Sequence, residues 1–248
     1  GGKRCGMWNL LRRVGLKKID GSKETFSGIT DGRIDLNLRL GLRFNCLVEI
    51  PEVDFILAGD ELEIKHPGLS NSVISYGNFP VGTSLVHRFY LNHPEHVYML
   101  QVITDSRQIV EETKLFMSYD EVFPQDSESW DFWLSDSDGY IGLNIFETKN
   151  SKRYFRVWEN PDAIRVLEQD ASGNQINRIP PVSFLEDLRL DPYGKSSETV
   201  KYDSMLYGRN VNENVDEYLL VSAAQDREGA SVQIMVGIPL EPASVKVI

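Results

Sequence analysis

Ile34-Asp35-Leu36-Asn37-Leu38-Arg39-Leu40-Gly41-Leu42-Arg43-Phe44-Asn45-Cys46-Leu47-Val48-Glu49-Ile50 carries an apolar side chain at every even position. The odd positions are polar or glycine, with Leu47 the exception. A period of two gives a strand one wet face and one buried face. The spacing therefore predicts that Leu36, Leu38, Leu40, Phe44, Val48 and Ile50 are buried and that Arg33, Asp35, Arg39 and Arg43 are exposed. The run exceeds the roughly five or six residues of a typical strand, so it is expected to split near Gly41 or Asn45.

Beyond this stretch the apolar segments stay short and are punctuated by turn residues. Segments 55–58 and 61–65 flank Gly59-Asp60 and read as a hairpin. Further strands are predicted over 73–76, 85–91, 97–104, 109–119, 140–146, 154–158, 163–167, 175–179, 219–222 and 232–238. Tyr98, Leu100 and Val102 face one way and Met99 and Ile103 the other, which marks a central strand covered on both sides. Trp130, Trp133 and Leu134 stand at i, i+3 and i+4 behind Asp126 and Ser127, the pattern of a short capped helix. Residues 184–190 form a second helix candidate. The expected fold is α+β and strand-rich, a predominantly antiparallel sheet with a few short helices. It divides into a basic N-terminal segment and linker (1–32) and a single domain (33–248).

The 248 residues carry a net charge of −11, unevenly placed. The first 20 hold six basic side chains and one acidic, or +5, and the remaining 228 hold 20 basic and 36 acidic, or −16. An acidic body repels phosphate backbones and argues against nucleic acid as a partner. Residues 7–19 read as a basic amphipathic helix, with Met7, Leu10, Leu11 and Val14 on one face. Trp8, Arg12, Arg13, Lys17 and Lys18 are its candidate interaction residues, toward a protein partner or, peripherally, an anionic membrane. Two cysteines, no apolar run of spanning length and no secretory signal lead to the expectation of a cytoplasmic protein, with peripheral contact at the inner membrane.

No motif for a nucleophile, a phosphate loop or a cofactor appears, so no catalytic, cofactor or metal residue is assigned. His87, His93 and His96 fall close together, but Pro94 makes the segment a turn and not the continuous helix of the helical zinc motifs. The acidic run Asp126, Glu128, Asp131, Asp136 and Asp138 leads into Gly139. A calcium loop with that glycine at its sixth position would place Leu134 and Ile145 at ligand positions. An enzyme built on the histidines or on this 126–138 loop is the alternative to a binding protein. Trp130, Trp133, Trp158, Tyr154 and Phe155 suit a β core more readily than a ligand groove. Arg88, Arg156 and Arg209 each sit in an aromatic string, where they can stack on rings or pair with carboxylates in structural roles; the competing reading is solvent exposure at a sheet edge.

Several strings in order resemble one family: Arg88-Phe89-Tyr90-Leu91, Leu100-Gln101-Val102, Trp130-Asp131-Phe132-Trp133-Leu134, Gly139-Tyr140-Ile141-Gly142 and Tyr154-Phe155-Arg156-Val157-Trp158. Met205-Leu206-Tyr207-Gly208-Arg209, Glu217-Tyr218-Leu219-Leu220-Val221 and Val236-Gly237-Ile238 complete the set. Their order resembles the YjfK-like family of bacterial proteins of unknown function, over about residues 33–248. The resemblance implies a cytoplasmic protein whose gene neighbours encode phage-shock protein A-like membrane remodellers and ligases similar to glutathionylspermidine synthetase. It transfers no catalytic residue. The resulting expectation is a non-enzymatic binding or assembly protein, accessory to a bacterial envelope-stress or membrane system.

Overall fold

In the computed structural model, residues 32–69 and 71–248 are described. Residues 7–19, with Trp8, Arg12, Arg13, Lys17 and Lys18, lie outside them. The elements run β1 (Leu47–Glu49), α1 (Val53–Ala58), β2 (Asn71–Val81), β3 (Ser84–Leu91), β4 (Tyr98–Thr104), β5 (Val110–Val122) and α2 (Ser127–Leu134). There follow β6 (Ile145–Glu147), β7 (Arg153–Arg156), β8 (Arg165–Gln169), β9 (Gln175–Arg178) and β10 (Val182–Arg189). Last come β11 (Ser197–Asn212), β12 (Val215–Gln225), β13 (Ala230–Pro239) and β14 (Lys246–Val247).

Eight of these strands close on themselves. The order is β2-β3-β4-β5-β13-β12-β11-β10 and back to β2, every pair antiparallel. The expected α+β sheet is therefore corrected to a closed antiparallel β-barrel with, among the described residues, two short α-helices at its outside. Closure removes sheet edges that would otherwise invite association.

Alternation places one set of side chains in the lumen and the other under an outer coat. Tyr90, Met99, Phe116, Tyr202, Leu220 and Met235 fill the inside. Phe89, Leu100, Leu115, Leu219 and Val236 point outward and share the outer core with Leu42, Phe44 and Val48 of the preceding segment. Tyr98, Leu100 and Val102 lie in the coat and Met99 and Ile103 in the lumen, as their alternation predicts. The outer face of β10 is bare, with Leu185 60% exposed.

The helix expected over 184–190 is β10, the strand that closes the ring. Phe184, Leu185 and Leu188 imitate helical spacing because the inward position between them is a glutamate. Glu186 is fully buried, so the lumen-facing row reads Phe184, Glu186, Leu188. The hairpin expected over 55–65 is α1 followed by a 3-10 turn over Gly59–Glu61. Gly59, at φ +59°, caps the helix by donating its N–H to the Phe55 carbonyl. The signal taken for a hairpin turn was a helix stop.

The opening stretch is strand only at β1. Phe44, Val48 and Ile50 are buried as predicted and Leu42 and Cys46 join them, whereas Leu36 is exposed and Leu38 and Leu40 are half-buried. Asp35, expected outside, is buried: it accepts two bonds from Arg33 and one from the Phe44 amide. A satisfied carboxylate can be buried where the apolar count alone would expose it. Arg33 and Arg39 are intermediate and Arg43 is exposed.

Candidate functional site

β10 joins the barrel unequally on its two sides. It pairs with β11 through eight residue pairs, Val182↔Ser204 to Arg189↔Ser197, but with β2 through only three, Asp187↔Asn78 to Arg189↔Tyr76. Past Asn78 the β2 and β10 backbones no longer pair, and the wall splits. Phe79 and Phe184 bridge the split by stacking, ring centroids 3.9 Å apart. The cavity there measures about 500 Å³. Phe79, Val86, Ile103 and Phe184 wall it, and Val157, Trp158 and Glu159 pass over its rim.

That strap is held from both ends. The Val157 amide donates to the Leu206 carbonyl at 2.8 Å, and β7 pairs with β11 at Tyr207 and Gly208. Arg156 is buried and donates to the carbonyls of Gly142 and Asn177, to the Asn177 amide oxygen at 2.7 Å and to Glu159 at 3.2 Å. Trp158, half-buried, touches both the inner and the outer core.

The floor of the cavity is polar. Arg88, Gln101 and Lys114 are direct cross-strand partners on β3, β4 and β5, so they share the lumen face at one level. Arg88 donates through Nη1 to Glu186 at 2.9 Å and through Nε to Gln101 Oε1 at 3.1 Å. Glu186 reaches it by crossing Gly77 of β2; a Cβ there would lie 1.8 Å from the Glu186 Oε1. Tyr90 donates to Glu186 as well. The rings of Phe79, Phe184 and Tyr202 lie 4.7 to 5.3 Å from the guanidinium carbon. Burial disfavours the Arg88 cation, but Glu186 and the two tyrosines more than offset it, and its pKa rises above the ordinary value. Burial also pushes the Tyr90 and Tyr202 hydroxyls well above theirs. Lys114 pairs with Glu112 and lies 4.6 Å from the Tyr218 ring centroid.

A larger open groove of about 670 Å³ runs past Lys152, Arg153, Arg156 and Arg209, but each of these cations already has a carboxylate partner. Arg209 donates twice to Glu217 and lies 5.3 Å from the Tyr154 ring centroid. Trp130 and Trp133 pack on the outer core from α2, whose Asp126 accepts from the Ser129 amide. Asp138 binds Ser135 and Ser137, and the Asp136 carbonyl accepts from Arg178.

The histidines do not converge. His87 faces outward on β3 and is bonded to the Tyr76 hydroxyl at 2.7 Å. Burial, then Arg39, lowers its pKa to about 4. His93 and His96 stack on one another in the turn beyond that strand. Among the described residues no three His, Cys, Asp or Glu side chains are grouped to hold a metal, and no helix is long and apolar enough to cross a membrane.

Of the floor residues, sequence reasoning singled out Arg88 alone. Gln101 stands in a resemblance string, and Glu186 sat in a segment read as a helix. The available signal was a charged side chain inside a strand buried on both faces. A family model described as a protein of unknown function, DUF2491, matches residues 21–246, nearly the whole chain. The chain belongs to the DUF2491 family. No curated protein and no solved structure matches it. The DUF2491 match spans every barrel strand and both sides of the split.

Proposed function

We propose that this DUF2491 chain is a binding protein that holds a small, largely apolar molecule in the split of its barrel. The observation that carries the reading is the cavity of about 500 Å³ where β2 and β10 part, walled mostly by apolar side chains, with Arg88 and Gln101 at its floor and Ser84 and Glu159 also in its lining. That combination of concavity, apolar lining and a few convergent polar groups is how small-molecule sites are built. The catalytic alternative on His87, His93 and His96 has less behind it, because His87 points away from the lumen and the other two lie in a turn.

The YjfK-like resemblance and a bacterial envelope-stress setting belong to the same proposal, as do a cytoplasmic place and a protein or membrane partner reached through residues 7–19. Their support is the ordered strings and the +5 charge of the first 20 residues.

Titration with octan-1-ol, followed by calorimetry and by Trp158 fluorescence, tests the binding reading. Saturable binding that is lost in a folded Ile103→Trp variant, whose larger side chain fills the cavity, is the expected result. Absence of saturable binding by any eight-carbon probe, or binding unchanged in that variant, overturns it.

A further inference from the structure

The floor of the cavity carries hydrogen-bond donors that the fold does not use. Arg88 spends Nη1 on Glu186 and Nε on Gln101, and among the described residues no acceptor meets Nη2. The ring stacking of Phe79, Phe184 and Tyr202 holds the guanidinium, so its remaining donors cannot turn to find a partner elsewhere. Gln101 is fixed in the same way. Because Arg88 Nε must meet an oxygen, the amide presents Oε1 to the arginine and Nε2 to the other side, where it too has no acceptor among the described residues. Both residues line the cavity.

The buried charges at the level of the cavity floor point the same way. Arg88 and Lys114 are both inside, their side chains 3% and 4% exposed, and among the described residues Glu186 is the one fully buried carboxylate set against them. The partner of Lys114, Glu112, is 44% exposed and therefore screened by solvent. Glu112, Asp216 and Glu198 also face the lumen but are only half-buried, so the two idle donors lie beside the buried cations Arg88 and Lys114.

From this placement we infer that the cavity takes a carboxylate on an apolar tail, its head received by Arg88 Nη2 and Gln101 Nε2 and its tail laid between Phe79, Val86, Ile103 and Phe184. This rests on the binding reading above and names the ligand's chemistry. A carboxylate gains charge-assisted hydrogen bonds there, shorter and stronger than those of a neutral head in the same place. An alcohol of the same length keeps the tail contacts and loses that gain. An amine meets the Arg88 cation at the floor, and Glu159, the carboxylate of the lining, sits at the rim and is already paired with Arg156.

The test compares octanoate, octan-1-ol and octylamine on the full chain at one pH and ionic strength, with Gln101→Glu as the variant. That change keeps an oxygen for Arg88 Nε, removes the Nε2 donor and sets a carboxylate at the floor. Octanoate should bind wild-type protein at least about tenfold more tightly than octan-1-ol, and octylamine most weakly. In a folded Gln101→Glu variant octanoate should lose about tenfold or more while octan-1-ol changes by less than about twofold. Equal affinity of octanoate and octan-1-ol, or a preference that survives Gln101→Glu, overturns the carboxylate inference and leaves the apolar-pocket reading standing. Absence of binding by all three probes overturns the pocket itself.

Discussion

Two glutamates of this barrel are fully buried, and each meets one arginine and one tyrosine, yet the two sites differ in what they leave over. Glu217, on the outer face of β12, accepts from Arg209 twice, from the Tyr154 hydroxyl and from the backbone amides of Glu63 and Ile64. Five donors saturate it, and two of them belong to the segment after α1, so this carboxylate rivets the outer coat to the barrel. Glu186, on the lumen face of β10, accepts among the described residues only from Arg88 and Tyr90. Its arginine keeps a free edge, and that edge looks into a cavity. A buried ion pair that closes every hydrogen bond is architecture; one that leaves donors idle beside an apolar hollow is the feature on which the proposed ligand site rests.

The largest effect should come from the saturated site. Glu217→Ala strands Arg209 and two amides, and should cost about 3–5 kcal/mol in chemical denaturation, the usual toll of breaking a buried pair. A loss below about 1 kcal/mol would show that Glu217 is not the rivet described.

His87 supplies a third buried polar site, one without a carboxylate. Its folded pKa of about 4 lies below the unfolded value of 6.5, so the unfolded chain binds the extra proton. The contribution is complete above pH 6.5 and is lost as pH falls from 6.5 toward 4, amounting to at most about 2–3 kcal/mol. Denaturation midpoints across that window should fall for wild type and fall less for His87→Gln; parallel curves would remove His87 from the account.

Gly77→Ala acts on the lumen pair directly. The added methyl meets the Glu186 carboxylate, and relieving that overlap should cost about 1–3 kcal/mol. The same variant should weaken octanoate binding, because Arg88 shifts with its partner. Unchanged stability together with unchanged binding would break the link between Gly77 and the cavity floor.

The smallest effect is expected from deleting residues 1–20, which should leave stability of the barrel within about 0.5 kcal/mol. If residues 7–19 meet a membrane, co-sedimentation with anionic liposomes should fall on deletion and also at high salt, since each basic residue contributes only on the order of 1 kcal/mol there. Equal recovery of both proteins in the supernatant at low salt would discard that partner.

The sequence by itself determined a good deal about single strands. Alternation identified β3, β4, β5 and β13 and the two-sided burial of β4, and Asp126 with its tryptophans located α2. It also picked out 42–50 as an apolar row, because burial there follows every second residue even where no ladder forms. What only the tertiary structure decided is which strands meet and what a strand may bury. Closure depends on β10, whose inward Glu186 is tolerated because Arg88 and Tyr90 come from another strand 96 to 98 residues earlier in the chain. β11, the long strand that pairs with β10, β12 and β7, drew no strand assignment either, since Lys201, Asp203 and Gly208 interrupt its apolar pattern. The cavity exists because β2 and β10 part after three residue pairs, a matter of register between segments far apart in sequence. Periodicity reports how one segment divides between wet and dry faces; it carries no information about a partner that supplies the missing charge.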